Sequence, residues 1–221
     1  MSALVLLFRR EFGLAWGRGG GAILALAFFA SITALTPLTV GSEPERLAAL
    51  AIGSSWLALA LSNLLSLERM FERDFEDGAL DQLALGPVGL VGVCAVKALA
   101  QWVAVGLPLA VAAPIAAAAL GAPDAILPLA LMAAVIGGLG FAFTGMMGAA
   151  LALGSRRGGM LIAVVVLPLF APPAIFGAGT LAAAAQGLPW VGGLALIAAW
   201  ALFSAVISPM VAAFSVRDAL G

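Results

Sequence analysis

Long apolar runs separated by short clusters of charge set the pattern of this chain. A helix needs about 20 apolar residues to cross the hydrocarbon layer of a bilayer. Uncharged stretches of that order run from Gly19 to Ser42, Leu47 to Leu67, Ala98 to Pro123 and Ala125 to Ser155. The stretch from Gly158 to Val216 is too long for one helix, and "AQGLPWVGG" at 185–193 supplies the turn residues that divide it. The pattern predicts an all-α membrane protein, a single domain over 1–221 with six transmembrane helices at about 20–41, 47–67, 91–118, 126–153, 159–180 and 191–215.

Two further elements lie outside the spans. In "LVLLFRREFGLAWGRG", Leu4, Leu7, Phe8, Phe12 and Trp16 are interrupted by Arg9, Arg10, Glu11 and Arg18, which predicts an interfacial helix over 1–18 lying along the headgroups. "RREF" has the look of a twin-arginine signal, but no convincing small-residue cleavage site follows it and five more spans come after the first. The second element is "LERMFERDFEDGALDQLALGP" at 67–87, where Glu68, Arg69, Glu72, Arg73, Asp74, Glu76, Asp77 and Asp81 are all charged. Glu68, Glu72 and Glu76 repeat at four-residue spacing, as do Arg69 and Arg73, and Gly78 can end the turn, so two short surface helices are expected.

Composition agrees with the span pattern. The chain has 221 residues, 64% hydrophobic and 10% charged, too oily for one water-soluble globule. A net charge of -1 leaves no basic footprint for nucleic acid. With no His and a single Cys, intrachain disulfides, Cys/His metal clusters and imidazole catalysis are excluded, and Cys94 reads as a small buried hydrophobe. Orientation follows the cations: Arg9, Arg10, Arg18, Arg69, Arg73, Arg156, Arg157 and Arg217 fall on one side of the spans and Arg46 on the other. Both termini and the 68–87 loop are therefore expected in the cytoplasm.

Spans one, two, four, five and six carry no ionisable side chain, so the groups that ion-coupled transport generally needs are missing from them. Lys97, in span three, either snorkels to the headgroups or contacts the acidic loop or an anionic lipid. A nucleotide-binding P-loop lysine is excluded because Val96 stands where glycine is required. Gly140, Thr144 and Gly148 line one face of span four for close helix packing, within the subunit or against another. Met146 and Met147 are gap fillers or, as the rarer alternative, haem ligands. Pro168, Pro172 and Pro173 should bend or break span five, leaving Ala174 to Leu188 as a short re-entrant element, and Pro108 and Pro114 should kink span three.

Phe71, Phe75, Leu80, Leu83 and Leu85 are interleaved with the loop's charges, which suits a helix docked in the groove of a soluble partner. An external ATPase is then the economical energy source. The alternative is a solvated connector.

The segments "PLTVGSEPERLAALAIGSSWLALALSNLLSLERMFERDFEDGALDQLALGP" at 37–87, "KALAQWVAVGLPL" at 97–109 and "GSRRGGMLIAVVVLPLFAPPAIFG" at 154–177 carry a resemblance over essentially the whole chain. The chain resembles the haem exporter protein B (cytochrome c maturation B) family, permeases of ABC-2-like architecture. The resemblance implies a non-catalytic subunit of the bacterial inner membrane, working with a cytoplasmic ATP-binding-cassette ATPase, a haem-handling membrane protein and a small membrane peptide. It also implies that Glu68, Arg69, Phe71, Glu72, Arg73, Asp74, Asp77, Gly78, Leu80 and Leu83 form the ATPase-coupling element. ATP would sit on the partner, and haem would be a substrate of the complex with no cofactor held by this chain, which lacks His and Tyr as axial ligands. A permease for another hydrophobic substrate, a non-transporting scaffold and a homodimer stay open. The scattered Trp16, Trp56, Trp102, Trp190 and Trp200 do not form the Trp-rich outer loop expected of the haem-presenting partner.

Overall fold

The computed structural model describes residues 2–17, 21–41, 43–67, 70–153 and 158–221. They form helices α1 (Ala3–Trp16), α2 (Gly21–Val40), α3 (Pro44–Leu65), α4 (Glu72–Glu76), α5 (Ala79–Ala84), α6 (Gly89–Gln101), α7 (Leu107–Ala119), α8 (Leu127–Leu151), α9 (Gly158–Ala185) and α10 (Val191–Leu220), with no strand among the described residues. Six helical stretches are long and apolar enough to cross a membrane, and α6 and α7 together make the third of them. The cationic positions Arg18, Arg69, Arg156 and Arg157 lie outside the described residues.

In hydrocarbon no water is at hand for a stray hydroxyl, so a Ser or Thr on these helices turns back to the carbonyl one turn earlier. Ser31 donates to Ala27 O at 2.8 Å, Thr36 to Ile32 O at 2.9 Å, Ser55 to Ala51 O at 2.7 Å and Thr144 to Gly140 O at 2.7 Å. These hydroxyls are thereby satisfied within their own helices, which leaves those faces free to pack through shape.

α8 is the centre of that packing, in contact with α10, α9, α7, α6 and α3. Its small residues explain why. A Cβ on Gly140 would lie 3.2 Å from Trp200 of α10, one on Gly137 would lie 3.0 Å from Trp56 of α3, and one on Gly148 would collide with Val166 of α9. Phe141 completes the junction, its ring centroid 6.4 Å from Trp56 and 4.7 Å from Phe170. Met146 is buried in the same core, and Cys94 is buried in α6.

One expectation about prolines needs correction. α9 runs without a break through Pro168, Pro172 and Pro173, and Ala174 to Leu188 is not a separate re-entrant element, because residues as far as Ala185 continue the same helix. The lost backbone bonds fall on a helix held on three sides by α8, α10 and α3, with Val166 and Phe170 buried against its neighbours. What ends α9 is Gly187, whose φ of +70 starts a left-handed cap. Gly187 N–H donates to Ala184 O at 3.1 Å and Leu188 N–H to Ala183 O at 2.8 Å, the paired bonds that close a helix C-terminus. The third span runs from Gly89 to Ala119, and just ahead of Pro108 it widens into a π-helical turn, Trp102–Gly106, in which Leu107 N–H reaches Trp102 O.

Candidate functional site

The charged segment between α3 and α6 is structured. Gly78, with φ +68, separates α4 from α5, giving the two short helices expected of it. Their apolar residues turn inward. Phe71 and Leu80 are fully buried in the core of the chain, and Leu83 packs with Leu7, Phe8, Val88, Val93 and Val96 between α1 and α6. Phe71 and Leu80 are therefore not available on the surface as docking residues. The outward face consists of Glu72, Arg73, Glu76, Asp77, Asp81, Gln82 and the 91% exposed Leu85. Arg73 and Asp77 form an exposed ion pair at 3.9 Å, of a kind that contributes little to stability. Glu68 and Arg69 lie outside the described residues.

Asp74 is the exception to this division, a buried carboxylate in the middle of α4. Lys97 meets it from α6: its Nζ donates to Asp74 Oδ2 at 2.5 Å, to Glu11 Oε2 of α1 at 2.8 Å and to Met70 O at 3.1 Å. Arg10, also on α1, donates to both oxygens of Asp74, one of them at 3.2 Å, and to Glu11. All three protons of the Lys97 ammonium have acceptors, and the Phe71 ring lies 5.4 Å from Nζ. Snorkelling to the headgroups, the simpler expectation for Lys97, is thus replaced by burial: the side chain is 1% exposed and turned into the acidic loop.

Energetics account for the composition of this cluster. Taking an ion out of water costs several kcal/mol, so a buried lysine is stable only among acceptors of opposite charge. Two cations face two carboxylates here, and their charges cancel. At Asp74, burial by itself would raise the carboxyl pKa, but the hydrogen bond from Arg10 and the charge of Lys97 outweigh it and hold the group below its ordinary value. The same hydrogen bond raises the Arg10 guanidinium above its own, against the opposing effect of burial. A cavity of about 570 Å³, open to one side, borders α4 and is lined by Glu11, Ser66, Arg73, Asp74, Lys97 and Gln101 among others, with Gln101 donating to Ser66 Oγ.

Of the residues marked in the sequence for helix packing, Gly140 faces α10, Gly148 faces α9, and Thr144 is buried with its hydroxyl on Gly140 O. Arg10 and Glu11 belong to the site although no motif in the sequence points to them. The signal for Glu11 is its spacing: it stands one turn after Leu7 on the buried stripe of α1, where an acid is out of place unless a cation meets it.

A body of six apolar helices, with a folded charged loop tied to it by buried ions, defines a multi-pass helical membrane protein. More particularly, the chain belongs to the family described as CcmB protein, which it matches over residues 2–219. It is 42% identical over 217 residues to heme exporter protein B of Paracoccus denitrificans, with 98% of each chain covered. It is 40% identical over 221 residues to heme exporter protein B of Bradyrhizobium diazoefficiens, with 100% of each covered. To heme exporter protein B of Escherichia coli K12 it is 37% identical over 211 residues, with 96% of each covered.

Proposed function

We propose that this chain is the membrane permease of an ATP-driven machine that exports haem, or releases a haem-loaded chaperone, during cytochrome c maturation. Near full-length similarity to proteins named heme exporter protein B supports the haem assignment. The observation that carries the mechanical part is the loop: α4 and α5 keep their apolar side chains within the chain and turn a charged face outward. Such a face fits a soluble partner. A cytoplasmic ATP-binding-cassette subunit docks there, hydrolyses ATP itself and moves the loop, and this chain conducts the movement into the membrane. In this reading the protein resides in the inner membrane with both termini cytoplasmic, alongside a haem-handling membrane protein and a small membrane peptide. Haem is cargo, since no His or Tyr in this sequence could serve as its strong axial ligand.

The test joins two measurements. Deleting the gene should abolish haem attachment to c-type cytochromes, and the tagged protein should bring down an ATP-binding partner from detergent extracts. Normal attachment in the deletion strain would point instead to another hydrophobic cargo. Recovery without any ATP-binding partner would remove the motor from the scheme.

A further inference from the structure

The buried ions do more than neutralise one another. Lys97 belongs to the third span, Asp74 to the loop, and Arg10 and Glu11 to the N-terminal helix, so a single cluster joins three elements that are far apart in sequence. We infer that Arg10, Glu11, Asp74 and Lys97 form a rigid transmission joint, which positions the loop so that its displacement is delivered undiminished to α1 and to the start of the third span. This rests on the permease reading above.

Three features of the geometry favour rigidity over a latch that opens. All three ammonium protons of Lys97 are used, and each acceptor lies on the loop or on α1, so the loop cannot move away without stranding a buried charge. Arg10 grips both oxygens of Asp74 with its planar fork, which fixes the orientation of α4 as well as its distance. The apolar contacts around the ions join the same three elements, through Leu7 of α1, Leu83 of α5 and Val93 and Val96 of α6. A short loop carrying a connector's chemistry alone would bend when pulled. Clamped in this way, it moves with the helix beneath it. Further along the third span, Gln101 donates to Ser66 Oγ and Trp102 donates its indole N–H to Val135 O of α8 at 3.1 Å, so the joint stands at the entrance to the packed centre of the molecule.

Two measurements test the joint, and only the second depends on the permease reading. In the purified subunit, amide hydrogen exchange over residues 72–84 should be about tenfold faster in Asp74→Asn than in wild type. Equal exchange in the two proteins would overturn the joint. For the second, Arg10→Cys/Asp74→Cys is made in a Cys94→Ala background, which removes one charge of each sign and leaves the Lys97–Glu11 pair in place. In inside-out vesicles carrying the complex, the ATP-dependent change in haem absorbance should fall about tenfold. A short bis-maleimide bridge between the two cysteines should restore it to within about twofold of the Cys94→Ala parent. Full activity without the bridge would sink the joint, as would an assembled complex that stays inactive once bridged. If the Cys94→Ala parent itself shows no ATP dependence, the permease reading fails, and hydrogen exchange alone decides the joint.

Discussion

Lys97 carries the cost of a buried ion, and its environment removes that cost only while every partner is present. Lys97→Met would leave Asp74 and Glu11 to share Arg10 alone. It should lower stability by about 3–5 kcal/mol, whereas adding Glu11→Gln to it should recover a good part of the loss. Thermal unfolding of the detergent-purified single and double variants measures both. Asp74 adds a dependence on pH with a definite sign. Its folded-state pKa is depressed, with Arg10 and Lys97 overcoming the opposite pull of burial, so the unfolded chain takes up the proton first as the pH falls. The stabilisation is complete above about pH 4, the range of an ordinary Asp, and is lost below it as the pH falls through the folded value. The gap in Tm between wild type and Asp74→Asn should therefore hold steady from about pH 6 to 8 and close in acid. In the sequence, Lys97 is legible as a cation needing an explanation. Its partner Glu11, 86 residues away, is not, because no local period links a residue of α1 to one of α6.

Hydropathy locates the six crossing helices at the level of the element, since apolar length follows directly from bilayer thickness. It does not say where a helix stops among prolines. Pro168, Pro172 and Pro173 read as breakers because each lacks an N–H, but the breaking tendency is a local energy that neighbouring helices can override. The true stop is a backbone conformation. Gly187→Ala meets open space but must hold φ +70, so it should cost about 1–2 kcal/mol and fray the end of α9, visible as faster amide exchange at Ala183 to Leu188. Gly148 fails for the opposite reason, since an added methyl runs into Val166. Gly148→Ala should lose about 1–3 kcal/mol, and Val166→Ala made with it should return part of that, as thermal melts of the pair would show. The two short helices of the loop are legible through Gly78 and the charge spacing. Which of their residues face inward is decided by α1 and α6 and is not written in the loop itself.

Across the whole molecule, the order of cations along the sequence predicts opposite sides for the two ends of the bundle, and Arg46 forms an ion pair with Glu43 at 2.7 Å. Cysteine labelling tests the orientation. A thiol introduced by Leu85→Cys should react with impermeant maleimide only in inside-out vesicles, and one introduced by Arg46→Cys only from the opposite side. The cancellation of charge beneath the loop has an electrical consequence. Since the inner ions carry no net charge, Glu72, Glu76, Asp77 and Asp81, opposed among the described residues by Arg73, give the outer face of the loop a negative potential. A soluble subunit drawn to that potential would be captured quickly in dilute buffer and ever more slowly as added salt shortens the reach of its attraction.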